Sequence, residues 1–330
     1  MSMPRASARH GTPLLEVEGL RMHFFTRSGV VKAVDDVSFR LERGRILGLV
    51  GESGSGKSMT GYSILGLVDA PGRIVAGRIV LGDIDLTRLG DDAWRKLRGD
   101  RIAMIFQDPM MTLNPVLRID TQMVEAVRAH HDVSHAAALE QCREALGRVG
   151  IASPEERLRN YPHQFSGGMR QRVAIAIALL NSPDLIIADE PTTALDVTIQ
   201  GQILFEMQKL CRETGAGLIW ITHDLSVIAG LADEVCVMYA GRIVESGTVD
   251  EILDHPMHPY TRGLLDSVPA RNVPGRPLAQ IPGMTPSLAC LGEGCAFRER
   301  CARALDECRV APEMRRPVEG RSLRCRNPIP

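Results

Sequence analysis

A glycine-rich octapeptide near residue 50 constrains the fold of this chain more than any other segment. It has the form G-x-x-x-x-G-K-[ST], in which small residues let successive backbone N–H groups turn inward around a phosphate chain. The octapeptide consists of Gly51, Glu52, Ser53, Gly54, Ser55, Gly56, Lys57 and Ser58. We expect Lys57 to reach the terminal phosphates of a nucleotide and the Ser58 hydroxyl to bind the Mg²⁺ that bridges two of them.

The segments on either side of the octapeptide have the patterns that a phosphate-binding loop requires. Residues 45–50 form an apolar run that predicts a buried strand, and residues 59–66 predict a helix whose N-terminus faces the anion. A chance match within a glycine-rich loop is the alternative. The order of strand, loop and helix argues against that alternative and indicates an α/β fold.

Length, charge and composition limit the classes of function. The 330 residues allow one large domain or two smaller ones, and a formal net charge of -1 provides no basic field for nucleic acid or an anionic membrane surface. The first twelve residues lack the apolar core of a signal peptide, and no apolar run is long enough to span a bilayer. We therefore expect a soluble cytoplasmic protein that does not bind nucleic acid.

Apolar patterning predicts further strands and helices along the chain. Strands are expected over residues 14–20, 34–41, 101–106, 185–188, 218–222, 235–239 and 242–244, the last of which closes the sheet, with a β hairpin over 77–86. Helices are expected over residues 91–98, 173–180 and 199–214. Residues 121–161 repeat apolar side chains at helical spacing, which indicates a mostly helical insertion.

Polar side chains follow three of the predicted strands, at the edge where open α/β sheets bind ligands. We expect Asp189 to hold Mg²⁺ and Glu190 to take a proton from, or orient, the water that attacks the γ-phosphate. Capping of the next turn is the alternative for these two acids. His223 is expected to contact the γ-phosphate, and Gln107 could reach a metal or water, although a plain turn explains Gln107 equally well.

Two other segments offer contacts to a nucleotide. Ser166, Gly167 and Gly168 precede an apolar helix, so their free N–H groups suit a second phosphate contact, or form an ordinary helix cap. Phe24 follows a strand and could stack on a base. Core packing is the alternative for Phe24, and it is the more frequent environment of such a side chain.

The eight cysteines fall into two groups. Cys142, Cys211 and Cys236 lie within apolar helix and strand patterns and are expected to be inert core residues. Five others crowd the last fifth of the chain, namely Cys290, Cys295, Cys301, Cys308 and Cys325. In a reducing compartment such a group of cysteines indicates a metal centre rather than disulfides. Prolines and glycines become frequent after residue 255, which predicts a domain boundary there.

Taken together, the motifs of the first 255 or so residues resemble those of the ATP-binding subunits of ABC transporters. The matching segments are the Walker A motif at 51–58, the Q-loop at Gln107, the signature at 166–169, the Walker B motif at 185–189 followed by Glu190, the D-loop of Ala194, Leu195 and Asp196, and the switch His223. The resemblance implies that Phe24 rather than Phe25 stacks on adenine. It also implies that Asp196 belongs to the nucleotide site.

In that family two ATPase subunits pair head to tail, so that each P-loop faces the signature of its partner. The resemblance therefore implies that ATP lies between two subunits. It further implies that Glu190, His223 and Gln107 are catalytic and that Ser58, Gln107 and Asp189 hold Mg²⁺.

Further segments narrow the resemblance to the dipeptide, oligopeptide and nickel importers. They are residues 106–109, 113–115, 161–172 and 258–265. The run Ile281, Pro282, Gly283 followed by Pro286 is similar to the D-type ATPase of that group, although Thr285 stands where a second proline is usual. The resemblance implies an F-type ATPase, two transmembrane permeases and an extracytoplasmic solute-binding protein as partners. It places the chain peripherally at the cytoplasmic face of the inner membrane, in contact with the membrane through the permeases.

Related subunits hold a [4Fe-4S] cluster on cysteines of the tail. The resemblance implies Cys295, Cys301, Cys308 and Cys325 as ligands here, and thiolate ligation suits a reducing compartment. Zinc and bare thiols are the alternatives, but the C-x₂-C pairs usual for zinc are absent from the sequence. Cys290 is an additional candidate ligand.

The resemblance thus implies an α/β fold with a P-loop ATPase core over residues 1–255. This core would combine a mixed β-sheet, an antiparallel β subdomain and an α-helical subdomain at about residues 110–165, followed by an irregular cysteine-rich extension over 256–330. The implied activity is hydrolysis of ATP with Mg²⁺, coupled to uptake of di- or oligopeptides or a related solute. Nickel, glutathione or opine import is the alternative. Soluble ABC ATPases that act on nucleic acid or ribosomes generally have two ATPase domains or a long coiled-coil insertion, and this sequence has neither.

Overall fold

The computed structural model describes residues 13–193, 195–272, 275 and 277–330. Ala194, the first residue of the predicted D-loop, lies outside these ranges, and so does the N-terminal segment 1–12, in which no signal peptide is predicted. Within the described ranges, no helix is both long enough and apolar enough to cross a bilayer.

The described part of the chain contains strands and helices that we number in chain order. The strands are β1 (Leu15–Thr26), β2 (Gly29–Leu41), β3 (Ile46–Val50), β4 (Gly72–Leu81), β5 (Ile84–Asp85), β6 (Ile102–Ile105), β7 (Leu185–Asp189), β8 (Gly217–Thr222), β9 (Glu234–Tyr239), β10 (Arg242–Thr248) and β11 (Ser322–Leu323). The helices are α1 (Lys57–Leu65), α2 (Asp91–Leu97), α3 (Ile119–Arg128), α4 (His135–Arg148), α5 (Pro154–Leu158), α6 (Gly167–Leu179), α7 (Val197–Thr214), α8 (Leu225–Leu231), α9 (Val249–Asp254) and α10 (Pro259–Asp266).

The central sheet has the strand order β11-β10-β9-β3-β8-β7-β6. The strands from β9 to β6 run parallel, whereas β10 and β11 run antiparallel to their neighbours. The strands predicted at 45–50, 101–106, 185–188 and 218–222 are confirmed, and they lie side by side in the parallel part. Because parallel strands end at one edge of a sheet, the polar residues that follow them come together there.

Successive residues of the parallel strands point to opposite faces of the sheet, and both faces are covered. Val50 and Ile186 pack in one apolar cluster with the helical insertion. Leu49 and Ile187 pack in the other cluster, together with residues of the antiparallel strands. Burial on both faces explains why these strands appear in the sequence as continuous apolar runs.

A second sheet is entirely antiparallel and has the strand order β2-β1-β4-β5. The predicted hairpin at 77–86 is confirmed as β4 and β5. Strand β4 begins earlier than predicted, because its pairing with β1 extends to Gly72 opposite Phe24. Met22 of this sheet is fully buried in the same cluster as Leu49, which joins the two sheets.

Helices α3, α4 and α5 form the predicted helical insertion, in which α4 packs on α3, α5 and α6. Cys142 lies in the core of this insertion, and Cys211 and Cys236 are buried in α7 and β9. Burial raises the pKa of each of these three thiols to about 12, which keeps them protonated near neutral pH. The prediction that they are core residues is confirmed, and their inertness stays a prediction.

Helix α6 begins at Gly167, six residues before the predicted start of the apolar helix at residue 173. Glycine has a low helix propensity, so two adjacent glycines conceal the first turn in the sequence. The turn is stabilised by Ser166, whose Oγ accepts a hydrogen bond from the N–H of Met169 at 3.3 Å. The signature segment is therefore the N-terminus of a helix.

The extension after residue 255 is mostly irregular, as predicted, but it adds β11 to the central sheet. Leu323 of β11 pairs with Glu245 of β10. The prediction that the strand at 242–244 closes the sheet is therefore wrong. A two-residue strand has too few side chains to show a periodic pattern, so only pairing with β10 reveals it.

A buried ion pair anchors this extension to the sheet. The side chain of Glu245 is 1% exposed, and one carboxylate oxygen accepts a hydrogen bond from Arg321 Nη2 at 2.7 Å. The same carboxylate accepts the N–H groups of Met257 at 2.7 Å and His258 at 3.0 Å. A buried carboxylate with these partners holds the start of α10 and the end of the chain against β10.

Replacing Arg321 with methionine is expected to lower the free energy of unfolding by about 2 to 3 kcal/mol, because Glu245 loses its buried countercharge but keeps two backbone donors. Urea denaturation of the nucleotide-free chain measures this change. Arg316→Met, at an exposed position of the same extension, is the matched control and should change stability by less than about 0.5 kcal/mol. Equal stability of the two variants would contradict a structural role for the buried pair.

Candidate functional site

The predicted phosphate-binding loop connects β3 to α1, and two of its glycines are required by the space around them. Gly56 has a φ of 101°, and a Cβ there would lie 2.4 Å from the carbonyl oxygen of Ala33. A Cβ on Gly51 would lie 2.3 Å from the carbonyl oxygen of Met238. Both contacts are to backbone atoms, which cannot move aside as a flexible side chain can. The loop is thus packed against β2 and β9 with its N–H groups at the N-terminus of α1.

Lys57 is only 6% exposed and lies against the loop that precedes it. Its Nζ donates hydrogen bonds to the carbonyl oxygens of Gly51 at 2.7 Å and Glu52 at 2.9 Å. Burial lowers the pKa of Lys57, and the carboxylates of Glu190 and Asp189 oppose this shift. The ammonium group is therefore held next to two acids and at the helix N-terminus, where phosphate oxygens bind.

Ser58 and Asp189 meet across the end of the sheet. The Oγ of Ser58, in the first turn of α1, donates a hydrogen bond to Asp189 Oδ1 at 3.1 Å. Asp189 ends β7 and is 2% exposed, and burial is the main cause that raises the pKa of its carboxyl group. A hydroxyl and a buried carboxylate at this distance are hard oxygen ligands that suit Mg²⁺.

Glu190 stands at the centre of a polar group formed by the ends of three neighbouring strands. Its Oε1 lies 3.0 Å from His223 Nδ1, and its Oε2 accepts hydrogen bonds from Gln107 Nε2 at 3.3 Å and Thr193 Oγ1 at 3.3 Å. Glu190 has a φ of 45°, an uncommon conformation that turns the chain away after β7. The structure therefore brings together the three side chains that the sequence predicts to be catalytic.

One open cavity of about 590 Å³ connects the loop with this polar group. The predicted ATPase part of the chain contributes one side of its lining, namely Gly51, Glu52, Ser53, Gln107, Glu190 and His223. From the C-terminal extension it is lined by Leu264, Ser267, Gln280 and Ile281. The extension thus forms one wall of the candidate site, which no motif in the sequence predicts.

The signature residues, and Leu195 and Asp196 of the D-loop, are not among the described residues that line this cavity. In the described part of the chain, no hydrogen bond joins Ser166, Gly167 or Gly168 to the loop, and Ser166 caps α6 instead. Asp196 caps α7, since its Oδ1 accepts the N–H of Ile199 at 3.0 Å. Ser166 and Asp196 therefore serve as helix caps within their own chain, and the predicted contact of these segments with a nucleotide stays a prediction.

The two adjacent phenylalanines of β1 occupy different environments. Phe24 is half-buried and packs against the start of β4, where a Cβ on Gly72 would lie 2.7 Å from its ring. Phe25 is exposed on the opposite side of the strand, with the Arg73 guanidinium 4.2 Å from its ring centre. Phe24 combines apolar support on one side with partial exposure, as a base-stacking side chain requires.

Sequence reasoning missed a group of residues that hold Glu52. The N–H of Glu52 donates a hydrogen bond to Tyr260 Oη at 2.8 Å, and its carboxylate pairs with Arg300 at 2.6 Å. The Arg300 hydrogen bond, opposed in part by burial, keeps the pKa of Glu52 below its usual range. These partners follow Glu52 by more than two hundred positions, so no local pattern could have revealed them.

The predicted cysteine ligands lie near one another in the extension. The N–H of Cys295 donates to the carbonyl oxygen of Cys308 at 2.9 Å. Burial raises the pKa of Cys325 to about 11, and the thiols of Cys295, Cys301 and Cys308 add to the increase. Cys290 is exposed. Among the residues that the structure describes, no three His, Cys, Asp or Glu side chains are arranged to hold a metal ion.

Two protein-family models match the chain. One, described as ABC transporter, matches residues 34–193. The other, described as oligopeptide/dipeptide transporter, C-terminal region, matches residues 244–308. The first match includes the phosphate-binding loop, Gln107 and Glu190, and the second includes α10 and four of the five cysteines that crowd the last fifth of the chain.

Curated relatives match nearly the whole chain. The oligopeptide transport ATP-binding protein OppD of Escherichia coli (strain K12) is 46% identical over 316 residues, which cover 96% of this chain and 94% of the relative. A putative peptide import ATP-binding protein of Brucella abortus (strain 2308) is 48% identical over 326 residues, which cover 95% of this chain and 96% of the relative. The oligopeptide transport ATP-binding protein AppD of Bacillus subtilis (strain 168) is 46% identical over 314 residues, with coverage of 94% and 96%.

Solved structures resemble the core of the fold. The dimeric structure of a post-hydrolysis state of the ATP-binding cassette MJ0796, bound to ADP and Pi, matches with a TM-score of 0.66 and 26% sequence identity. The match covers 71% of this chain and 98% of that chain.

Proposed function

The chain belongs to the ABC transporter family, as a relative of the oligopeptide transport ATP-binding proteins, and on that basis we propose that its ATP hydrolysis energises the import of di- or oligopeptides. The chain is an ABC ATPase. One observation carries the proposal: Lys57, the Ser58–Asp189 pair and the group around Glu190 all lie at one edge of the parallel sheet. This edge provides the charges that phosphoryl transfer to water requires.

We propose the following roles for the site residues. Lys57 and the loop N–H groups bind the β- and γ-phosphates, and Ser58 and Asp189 hold Mg²⁺, with Gln107 as a further ligand or water contact. Mg²⁺ bound with ATP neutralises the charge that develops on the phosphates. Glu190 accepts a proton from the attacking water, and His223, which contacts Glu190, orients that carboxylate and the γ-phosphate. The half-buried ring of Phe24 stacks on adenine.

The signature and D-loop residues act, in this proposal, on the nucleotide of a second ATPase subunit. Support comes from their position, because Ser166 and Asp196 cap helices away from the cavity of their own chain. Closure of two such subunits around ATP would bring the helical insertions together, and hydrolysis would let them separate. That change of state provides the motion that gates transport.

The remaining partners follow from the same proposal. Peptide import, the activity named for the relatives, would require permeases and a solute-binding protein. We propose two permeases, an F-type ATPase as the second subunit and an extracytoplasmic solute-binding protein. The chain would then lie at the cytoplasmic face of the inner membrane, attached through the permeases. We propose a division into an ATPase domain over residues 1–255 and an extension over 256–330.

Affinity purification of the tagged chain from detergent-solubilised membranes tests the import proposal. Mass spectrometry should identify two permeases, a second ATPase and a solute-binding protein among the proteins that co-purify. The binding protein is then screened against peptides, nickel, glutathione and opines, and peptide binding is the expected result. Selective binding of one of the other solutes would reassign the substrate. Recovery of ribosomal or DNA-repair proteins without permeases would refute transport itself.

We further propose that Cys295, Cys301, Cys308 and Cys325 bind a [4Fe-4S] cluster. Their mutual proximity supports it, because each of the other three thiols contributes to the raised pKa of Cys325. No three of these side chains are arranged for a single ion in the described structure. These four side chains would hold the cluster through thiolate ligation.

Anaerobic purification tests the cluster. The chain should be brown, contain about four irons and lose its colour with dithionite. Cys308→Ser should lose the iron, whereas Cys290→Ser, at an exposed cysteine of the same extension, should keep it. Colourless protein that contains stoichiometric zinc would disprove the cluster.

A further inference from the structure

Arg300 connects the C-terminal extension directly to the phosphate-binding loop. Its side chain is 7% exposed, and the two terminal nitrogens donate to the two carboxylate oxygens of Glu52, at 2.6 Å and 2.9 Å. Its Nε donates to the carbonyl oxygen of Pro282 at 2.9 Å. Arg300 therefore uses one planar guanidinium group to join Glu52, the second residue of the loop, to the segment that lines the site from the extension.

Two more residues of the extension hold Glu52 in the same place. Thr285 Oγ1 donates to Glu52 Oε2 at 3.1 Å, and Tyr260 Oη accepts the N–H of Glu52 at 2.8 Å. The carbonyl of Glu52 in turn accepts a hydrogen bond from Lys57 Nζ at 2.9 Å. A residue whose side chain, N–H and carbonyl are all bound has little freedom, and Lys57 depends on that carbonyl for part of its own position.

Ordering of a glycine-rich loop is costly, because glycine loses more conformational freedom than other residues. A ligand that must order such a loop binds more weakly than one that meets a loop already ordered. We propose that Arg300 is a positioning residue for ATP, which fixes Glu52 so that the loop and Lys57 are ordered before the nucleotide binds. This inference rests on the proposed ATP site and adds to it a residue that lies outside every ATPase motif.

A purely structural role for Arg300 makes a different prediction. The guanidinium also lies 5.8 Å and 5.9 Å from the ring centres of Tyr239 and Phe297, so it contributes to packing of the extension. If packing were its whole role, loss of Arg300 would lower the unfolding temperature and leave nucleotide affinity unchanged at temperatures where the chain is folded.

Calorimetric titration of the nucleotide-free full chain with MgATP distinguishes the two roles. At a temperature well below unfolding, Arg300→Met should bind MgATP about 5- to 10-fold more weakly than the unmodified chain. Arg300→Lys keeps the charge but loses the two-point geometry, so it should fall between them. Turnover at saturating ATP is measured on the complex isolated from membranes. In the Arg300→Met complex it should stay within about twofold of the turnover of the unmodified complex. Arg309→Met is the matched control, because Arg309 is exposed and pairs with the exposed Asp306.

A double-mutant cycle with Glu52→Gln completes the test. If Arg300 acts through Glu52, adding Arg300→Met to Glu52→Gln should weaken MgATP binding much less than it does in the unmodified chain. Equal affinity of Arg300→Met and the unmodified chain, or full additivity in the cycle, would overturn the inference. Failure of the unmodified chain to bind MgATP would instead refute the proposed ATP site, so the two failures are distinguishable.

Discussion

Replacement of Glu190 by glutamine is expected to lower ATP turnover by at least about 100-fold, the contribution typical of a general base. Glutamine has nearly the same shape, so it preserves the packing at the end of β7. Its amide cannot take a proton from water, and it presents no negative charge to His223, 3.0 Å away. Binding of MgATP should survive, because Lys57 and the Ser58–Asp189 pair are unchanged.

The measurement is the rate of phosphate release by the membrane-isolated complex, together with MgATP affinity of the full chain. Size-exclusion chromatography with ATP should show increased dimer, because the bound nucleotide persists. Glu213→Gln, at an exposed position near the end of α7, is the matched control and should keep normal turnover. Near-normal turnover in Glu190→Gln would mean that another residue activates the water.

Replacement of Lys57 by alanine is expected to weaken MgATP binding on the order of 100-fold, the loss typical when one partner of a buried charge pair is removed. Lys57 is 6% exposed and has Asp189 and Glu190 nearby, so its ammonium group is the positive charge that offsets these acids and the incoming phosphates. Without it, the triphosphate would approach two carboxylates with the loop N–H groups as its main remaining donors. Turnover should fall as well, because the same charge stabilises the transition state.

Titration of the full chain with MgATP checks this result. Lys57→Met keeps the length of the apolar stem and separates loss of charge from loss of packing, so it should bind as weakly as the alanine variant. Lys96→Ala, at an exposed position of α2, should bind normally. Affinity within about threefold of the unmodified chain in both Lys57 variants would contradict a phosphate contact by Lys57.

Much of the core could be predicted because each motif and each strand pattern occupies a short continuous segment of the sequence. The strand, loop and helix around residues 45–66 form one continuous segment, and the apolar runs before Gln107, Glu190 and His223 predict parallel strands. Parallel strands end at one edge, so the convergence of these three polar side chains follows from the strands alone. The contacts of Glu190 with His223 and Gln107 agree with that reasoning.

Errors in the predicted elements have specific physical causes. Helix α6 begins six residues before its predicted start, because the two glycines that open its first turn conceal the helix in the sequence. Strand β4 begins early because pairing with β1, rather than alternation of its own residues, determines where it starts. Strand β11 has two residues and exists only through its pairing with β10.

By itself, the sequence determined the chemistry of the site, since the residues of each motif lie within a few positions of one another and the strand pattern places their ends together. Only the tertiary structure decided where the C-terminal extension lies. It places Tyr260, Thr285 and Arg300 around Glu52, across separations of 208, 233 and 248 residues. The physical reason is that these hydrogen bonds and the Arg300–Glu52 ion pair depend on packing of the whole chain around the central sheet, and leave no periodicity or motif in the residues that make them.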